Sequence, residues 1–376
     1  MGILMKWFGS FSEFSYMRVA GESIDASHGL NDAPLVGEEA RNRAFDISFR
    51  AKTAEIKSKI NSIRTLLRTV IKKYVLTDFW VTRKHYFYHN GFYPDLIEPK
   101  DLSEKISWLK LHDRSPLHTR CADKIRVREY VAARIGTELL VPTLLVTHDP
   151  DEIGPETILR ERFVIKTNHD QGGVLICSDR AAFDWCAAKE MIKKRLKINK
   201  YEEFREYQYK KIRPGVIVEE YIDGENGTFA PEVKINCFHG EPKFIQVVLD
   251  RFGSCRQVFY YNPDWERITM RGRTAPFDGE VPRPSSLERM LRDAAVLAEP
   301  FLFCRVDLLL GAGDRPWFGE ITFHPAAGLV RYNPPEIERA FGDMIDLSRF
   351  DEARRLQRRM LDHDLRPDAA RRGAAD

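Results

Sequence analysis

The spacing of apolar residues divides the chain into one amphipathic stretch near its start and a longer series of short helical and strand-like segments. From about 37 to 78, apolar residues recur at three- and four-residue steps with lysines and arginines between them, and aromatic residues follow from 80 to 88. This spacing predicts an amphipathic helix with a basic face. Such a helix can lie on an anionic membrane surface or pack on its own domain, and we favour packing.

Helical signals recur after the aromatic residues. A capping box begins one helix, with Asp101 as the cap and Glu104 three residues further on, and Gly136 closes a second helix. Charged residues from about 180 to 211 predict one long helix, and another is expected at about 285–299.

Segments rich in β-branched and aromatic residues, bounded by Gly, Pro or polar clusters, predict strands. Most follow one another without an intervening helix, which is typical of an α+β fold with mostly antiparallel sheets rather than a regular βαβ repeat. The predicted strands are LLVPTLLV, RFVIKT, GVLICS, GVIVEEYI, EVKINCF, PKFIQVVLDRF, RQVFYY, FLFCRVDLLL and WFGEITF.

Composition narrows the class of protein. The chain has 376 residues, 43% of them hydrophobic and 31% charged, which suits a globular protein with a sizeable core. A net charge of +3 is too small to indicate a nucleic-acid binder. The six cysteines lack metal-site or redox spacing, and no apolar run approaches the ~20 residues that span a bilayer. The N-terminus does not resemble a signal peptide, so we expect a cytoplasmic protein, with peripheral contact at the inner face of the membrane as a further option.

The last two predicted strands are joined by the turn Gly313-Asp314, a dipeptide that favours a two-residue hairpin. Counting outward from this turn places Asp307 opposite Glu320. Opposed side chains have Cβ atoms about 5 Å apart, so two carboxylates there repel unless a cation lies between them. Mg²⁺ meets that need, because it is commonly held by one or two carboxylates and the phosphates of a nucleotide.

Arg305 leaves a second interpretation open. It is predicted to face Thr322 on the same side of the sheet as the two acids, where a guanidinium can stabilise the charge of a phosphoryl group in transfer. It can equally neutralise the acids in a structural ion pair. On the strand pair alone, both interpretations stand.

A second constellation is the segment FVIKTNHDQGGVLI. Lys166 lies at the end of one strand, and a polar turn from Asn168 to Gly173 leads into the next. Gly172 and Gly173 allow close approach of the backbone to a ligand, and successive N–H groups in such a turn can bind phosphate. A plain hairpin with one exposed lysine is the alternative.

The third constellation is GVIVEEYIDGENG, where an apolar strand ends at Glu219-Glu220 and continues to Ile222. A strand end with exposed backbone groups can bind an adenine edge, and an acid such as Asp223 can reach a ribose. A strand with a polar end is the commoner case for such a segment. Neither a Walker P-loop nor a complete GxGxxG is present, so the common nucleotide-binding folds are not supported.

Taken in order along the chain, these residues resemble those of an ATP-grasp enzyme, and the nearest subgroup is the TupA-like ATP-grasp family of bacterial surface-polysaccharide biosynthesis. The resemblance covers roughly 93–330 and implies an α+β ATP-grasp fold, with two α+β lobes that grip ATP and an N-terminal helical extension. Its motifs are DLSEKISWLKL, ADKIRVREYV, FVIKTNHDQGG, VIVEEYI, KINCFHGEP, VVLDRF and RVDLLL followed by FGEITFHPAAG.

The resemblance also implies a role for each candidate residue, with ATP and Mg²⁺ as cofactors. Lys124, Lys166 and Lys234 would contact phosphate, and Arg305 would stabilise the transferred phosphoryl group. The other implied nucleotide-binding residues are Asn168, Gly172, Gly173, Glu219, Glu220 and Ile222.

Asp307 and Glu320 would hold Mg²⁺ in the same resemblance. Members of the superfamily usually have Asn two residues after the metal-binding Glu, and here Thr322 occupies that position. Its hydroxyl can bind a metal or a metal-bound water, which leaves the number of Mg²⁺ ions open. Arg251 is available for an anionic substrate, with His324 and Pro325 on the acceptor side.

The activity that the resemblance implies is an ADP-forming ligase, in which ATP phosphorylates a carboxylate and an amine displaces phosphate. The carboxylate would belong to a sugar acid or amino acid of a capsule, exopolysaccharide or related polymer. A kinase that phosphorylates a sugar hydroxyl is one alternative, and a non-catalytic nucleotide-binding or membrane scaffold is another.

The predicted organisation has five parts, beginning with a segment without periodicity, which we expect to be disordered, and ending in an Arg- and Asp-rich tail that starts as a helix. The parts are a disordered segment (1–36), a basic helical extension (37–92), an N-terminal region with the first lobe (93–216), a second lobe with the metal site (217–345) and a charged tail (346–376).

Overall fold

The computed structural model of the protein describes residues 57–59, 62, 77–253, 255–272, 277, 279–363 and 365. The chain divides into two compact units, Met1–Leu66 and Leu67–Asp376. The few described residues of the first unit are helical. Most of the predicted basic helix lies outside the described residues, so its membrane contact stays a prediction. No helix in the described ranges is long and apolar enough to cross a membrane.

In the second unit, a group of helices precedes the first sheet. Asp101 and Glu104 form the predicted capping box, and Gly136 adopts φ 82° to end the last helix of the group, so both signals are confirmed. The helices are α1 (Asp78–Asn90), α2 (Leu102–His112), α3 (Pro116–Ala122) and α4 (Val127–Ile135).

The first sheet has four antiparallel strands in the order β1-β4-β2-β3. Its apolar face includes Phe163, Ile165, Val216 and Val218 and packs against Ile192 of a following helix. The strands are β1 (Thr143–Thr147), β2 (Phe163–Thr167), β3 (Val174–Cys177) and β4 (Val216–Glu220).

The prediction of a single long helix at about 180–211 is wrong. The segment forms α5 (Trp185–Arg195), α6 (Lys200–Phe204) and a 3₁₀ turn at Tyr207–Tyr209. Asn199 starts a new helix, because its side chain accepts the N–H of Tyr201, and a left-handed residue ends that helix one turn later.

The second sheet has five antiparallel strands in the order β7-β6-β5-β8-β9. One face packs against α4 and α7 around the largest apolar core of the described chain. The two antiparallel sheets confirm the predicted α+β class. The elements are β5 (Glu232–Phe238), β6 (Glu241–Leu249), β7 (Gln257–Tyr261), α7 (Leu287–Ala298), β8 (Phe303–Gly311) and β9 (Arg315–Thr322).

Two helices follow the second sheet, α8 (Pro335–Asp343) and α9 (Phe350–His363). Within the segment predicted as a charged tail, Met360 and Leu365 are buried in the core of the second sheet. This part of the C-terminal segment therefore packs on the fold.

The hairpin between β8 and β9 differs from the prediction at its turn but not at its acids. Three residues, Ala312 to Asp314, connect the strands, so the predicted two-residue turn is wrong. A bulge at Gly319 then adds one residue to β9, and it brings the register back so that Asp307 lies opposite Glu320. A Cβ at Gly319 would lie 2.8 Å from the Asp307 carbonyl oxygen, so the close approach here requires glycine.

Candidate functional site

Charged residues form a row across one face of the second sheet. Lys234 on β5 pairs with Asp307 on β8, and Asp307 pairs with Glu320 on β9. Because side chains alternate along a strand, the next row points the other way. It lies in the apolar core and consists of Ile235, Val306 and Ile321. The sheet therefore holds three charged groups side by side above a rigid apolar layer.

Asp307 is the most tightly held member of this row. Arg305 donates to both of its oxygens, from Nε at 2.6 Å and from Nη2 at 2.7 Å, and Lys234 Nζ donates to Oδ2 at 2.7 Å. Burial alone would raise the pKa of Asp307, but these two cations outweigh it and lower the pKa to about 2. The carboxylate is therefore ionised at neutral pH, and the predicted ion pair with Arg305 is present.

Glu320 is held more loosely. Its Oε2 lies 3.6 Å from Lys124 Nζ, and its Oε1 accepts the Thr322 hydroxyl at 3.3 Å. Lys124, with help from Lys234 and Arg305, lowers the pKa of Glu320 against the opposing effect of burial. Thr322 also accepts Arg305 Nη2 at 3.2 Å, so its hydroxyl links both acids through hydrogen bonds.

A second charged group lies on the first sheet. Lys166 of β2 is 2.6 Å from Glu219 of β4, which also binds Arg128 of α4 at 2.9 Å. Glu219 is buried, and an unpaired charge there would be costly. Lys166 and Arg128 compensate it. Arg160 binds the neighbouring Glu220 at 2.8 Å.

The predicted phosphate loop is anchored by its own side chains. Buried Asn168 donates to Asp123 Oδ1 at 2.9 Å and accepts the Gly215 N–H at 2.7 Å. Lys124 Nζ donates to the Asp170 carbonyl at 2.7 Å, which ties the loop to the cation beside Glu320. Asn168 therefore holds the base of the loop, while Gly172, with φ 91°, lies at its turn.

We expect Gly173→Ala to disrupt this loop. A Cβ at Gly173 would overlap Thr167 Oγ1 and lie 2.6 Å from Asp170 Oδ1, two atoms that hydrogen-bond to each other. Overpacking of this kind costs about 1–3 kcal/mol, and we expect affinity for an ATP analogue to fall about 10-fold. Chemical denaturation and calorimetry measure the two effects. Gly313→Ala is the matched control, because a Cβ there meets open space and only its φ of 67° is unfavourable. Equal behaviour of the two variants would contradict the prediction.

A cavity of about 90 Å³ lies between the two sheets and brings several candidate residues together. Both sheets contribute to it, because Val164 and Lys166 belong to the first and Asp307 and Leu309 to the second. The candidates that line it are Lys124, Lys166, Gly172, Arg251, Asp307 and Glu320. We call it the inter-sheet cavity.

The remaining candidates are placed around this cavity rather than in its lining. Lys234, Arg305 and Thr322 contact the acids, and Asn168 and Gly173 shape the loop. Ile222 packs in a small apolar cluster with Val141 and Leu309.

The sequence analysis missed Glu232 and Arg128. Glu232 lines the inter-sheet cavity and pairs with Arg251 and with Lys234, the latter at 2.8 Å. Its position two residues before Lys234, on the same strand face, was a usable signal. Arg128 comes from a helix, and nothing in its sequence context indicates Glu219 as its partner.

The donor set fits Mg²⁺ bound together with a nucleotide. In the described ranges, no group of three or more His, Cys, Asp or Glu residues forms a closed metal site. Asp307 and Glu320 supply two carboxylates, and Thr322 adds a hydroxyl oxygen. Mg²⁺ is commonly bound by one or two carboxylates and completed by phosphate oxygens and water, so this open set of hard oxygen ligands suits it.

Two antiparallel sheets, with paired carboxylates, two lysines and a glycine loop around the cavity between them, are the arrangement that the resemblance to ATP-grasp enzymes implied. The sequence matches the TupA-like ATP-grasp family over residues 104–346, and the chain belongs to that family. No curated protein sequence is significantly similar to the chain.

Solved structures show weak overall similarity to the chain. D-alanine–D-alanine ligase from Bacillus anthracis, complexed with ATP, is 17% identical with a TM-score of 0.37, over 69% of each chain. L-amino acid ligase from Bacillus licheniformis is 16% identical with a TM-score of 0.33, over 56% of this chain and 42% of that one. N5-carboxyaminoimidazole synthetase from Staphylococcus aureus is 12% identical with a TM-score of 0.29, over 54% and 44%.

Proposed function

We propose that the protein is an ATP-dependent, ADP-forming carboxylate–amine ligase that acts through an acyl phosphate. Its carboxylate substrate would be a sugar acid or amino acid used in cell-surface polysaccharide biosynthesis. The observation that carries the proposal is the meeting of Asp307, Glu320, Lys124 and Lys166 in one inter-sheet cavity. Two acids and two cations in one cavity suit a metal-bound polyphosphate better than any neutral ligand.

Each sheet contributes one half of the nucleotide site. Lys166 and the loop after it would hold phosphate oxygens from the first sheet, and Asp307 and Glu320 would hold Mg²⁺ from the second. When bound, Mg²⁺ would neutralise part of the negative charge of the phosphates. Ile222 and Leu309 lie in one apolar cluster, which provides a surface on which an adenine ring can pack.

Arg305 acts through position and charge. Asp307 holds its guanidinium by two hydrogen bonds, and this attraction raises the pKa of Arg305 although burial opposes it. The side chain is therefore a fixed cation beside the metal-binding acids, where it stabilises phosphoryl charge as the substrate carboxylate attacks. The chain needs no covalent nucleophile for this reaction, because it acts by holding the reactants in line.

Hydroxylamine trapping tests the proposal. Purified protein is incubated with ATP, Mg²⁺ and a panel of sugar acids and amino acids, with and without hydroxylamine, and ADP and hydroxamate are measured. A ligase gives hydroxamate that requires both ATP and the acid, because hydroxylamine captures the acyl phosphate. Protein without acid, and acid without ATP, are the controls.

The same assay separates the alternatives. A kinase gives one equivalent of ADP per stable sugar phosphate and no hydroxamate, and that result would overturn the ligase. A scaffold binds ATP without turnover under every condition.

A further inference from the structure

A second and larger cavity opens beside Arg305, on the same face of the second sheet. Its volume is about 630 Å³, and it shares only Gln171 with the lining of the inter-sheet cavity. The two cavities meet at the charged row, since Arg305 lines the larger one and binds Asp307, which lines the smaller. We call the larger one the acceptor cavity. Its polar lining includes Asn236, Gln246, Arg256, Tyr260, Arg305 and Tyr332.

Among the described residues, the lining of the acceptor cavity carries positive charge and no acidic residue. Arg305 is neutralised by Asp307, so the uncompensated charge comes from Arg256. This residue is exposed, and it makes no ion pair or side-chain hydrogen bond within the part of the chain that the structure describes. Arg256 and Arg305 both line this cavity, and both counteract the rise that burial causes in the pKa of Tyr260, which lines it as well.

Neutral hydrogen-bonding groups surround this charge. The Gln246 amide and the Tyr332 hydroxyl have no partner among the described residues, and Asn236 makes only one long contact, at 3.5 Å to the Phe244 carbonyl. The rings of Tyr260 and Tyr332 meet edge to face, with centroids 6.0 Å apart. Free amides, a phenol and aromatic faces suit a ligand with several hydroxyl groups and a C–H surface.

We infer that the acceptor cavity binds the carboxylate substrate and that this substrate is a hydroxyl-rich organic acid of the sugar-acid class, held through Arg256. The inference rests on the proposed function and chooses between the two substrate classes it leaves open. A free amino acid carries an ammonium group, and the lining residues that the structure describes include no carboxylate to pair with it. The volume of about 630 Å³ lies in the range of about 300–1,000 Å³ that holds drug-sized ligands, which leaves room for an acid with one or two sugar rings.

Binding without turnover tests the inference. Titration calorimetry is performed on the full chain with Mg²⁺ and a non-hydrolysable ATP analogue, using glucuronate, digalacturonate, glucose and glutamate as probes. We expect the two uronates to bind. Glucose lacks the carboxylate that would accept a charge-assisted hydrogen bond from Arg256, and glutamate brings an ammonium group that finds no acidic partner among the described lining residues. Each is therefore expected to bind at least about 10-fold more weakly.

Arg256→Gln identifies the residue responsible. It is expected to weaken uronate binding about 10-fold or more and to leave the affinity for the ATP analogue unchanged, while Arg256→Lys retains part of the binding. Arg283→Gln is the matched control, an exposed arginine that pairs with Glu288 away from both cavities. Because Arg256 has no described partner, its loss leaves no buried charge, and a thermal melt confirms folding.

Several results would overturn the inference: no uronate binding, equal binding of glucose, tighter binding of glutamate, or unchanged uronate binding by Arg256→Gln. These results are separable from failure of the proposed function. Uronate binding without hydroxamate formation refutes the ligase but keeps the cavity assignment. Hydroxamate formed only from glutamate keeps the ligase and refutes the sugar acid.

Discussion

Glu320→Gln is expected to lower ATP turnover about 10³-fold while the protein keeps its fold. Glutamine retains the size and one oxygen of the side chain but removes the negative charge that would hold Mg²⁺. The structural cost is small, because Glu320 is only part-buried and its nearest cation, Lys124, is 3.6 Å away. ADP release measured over a range of Mg²⁺ concentrations, together with thermal melts, checks both parts of the expectation.

Asp307→Asn is expected to remove turnover as well, but at a cost in stability. Asp307 accepts three hydrogen bonds from Arg305 and Lys234, both of which would keep their charge in a low-dielectric site. Removing one partner of a buried ion pair costs about 3–5 kcal/mol. Glu320→Gln is therefore the cleaner test of the proposed metal site, and a difference in stability between the two variants shows which acid has the structural role.

Glu241→Gln supplies the control for both variants. Glu241 is an exposed acid on β6 of the same sheet, and its ion-pair partner among the described residues is surface Lys243 at 2.6 Å. We expect this variant to retain both turnover and stability. Full turnover by folded Glu320→Gln would reject the proposed metal site and leave the carboxylate pair with a structural role.

The β8–β9 hairpin shows how a correct contact can follow from an incomplete description of the backbone. The dipeptide Gly313-Asp314 indicates a tight turn, but Asp314 itself takes φ 58° in a three-residue connection. The bulge at Gly319 offsets this by one residue, so Asp307 still meets Glu320. Turn residues are encoded locally, whereas a bulge depends on how the partner strand packs, and only an isolated Gly within the strand hints at it.

Local signals also found the candidates that lie on strands and loops, because each strand's alternation fixes which side chains share a face. Contacts between a helix and a sheet were not predictable in the same way. Arg128 reaches Glu219 because α4 docks beside β4. Arg256, just before β7, lines the same cavity as Arg305 of β8, although two strands lie between β7 and β8. Such pairs depend on strand order and helix docking, which a single sequence does not encode in its local pattern.

The sequence also did not predict a buried polar cluster behind the candidate site. Lys110 of α2 is fully buried and donates to the Ala327 carbonyl at 2.8 Å, in the turn that follows β9. Ala327 has φ 58°, an unfavourable conformation for a residue with a side chain, so this hydrogen bond helps to hold the turn. Pro325 and Ala326 of the same turn line the acceptor cavity.

Glu206 is a buried acid whose charge influences Lys110. Burial raises the pKa of Glu206 to about 7 and lowers that of Lys110 to about 8, and each group partly offsets the shift of the other. Gln208 donates to Glu206 at 3.4 Å and contacts His324 at 3.1 Å. Other charged groups that influence the pair are Asp78 near Lys110, and Lys200 and Glu203 near Glu206.

Lys110→Met is therefore expected to destabilise the fold by about 2–3 kcal/mol near pH 8, since it removes the buried hydrogen bond to the Ala327 carbonyl and the cation that favours ionised Glu206. Lys105→Met is the matched control on the same helix, because Lys105 is less buried and donates one hydrogen bond, to the Ile345 carbonyl at 2.8 Å. A loss of about 1 kcal/mol is expected there. Denaturant unfolding of both variants at pH 5 and pH 8 measures the difference.

The pH dependence separates charge from packing. The folded-state pKa of Glu206 lies above its ordinary value of 4.5, so the folded protein binds this proton more tightly than the unfolded chain does. Ionisation of Glu206 therefore costs stability as the pH rises from about 5 to 7. Without Lys110 that cost increases, so Lys110→Met should be more destabilising at pH 8 than at pH 5, and adding Glu206→Gln should recover most of the loss. If Lys110→Met instead destabilises equally at both pH values and Glu206→Gln gives no recovery, Lys110 stabilises the turn through packing and its hydrogen bond to Ala327 rather than through its charge.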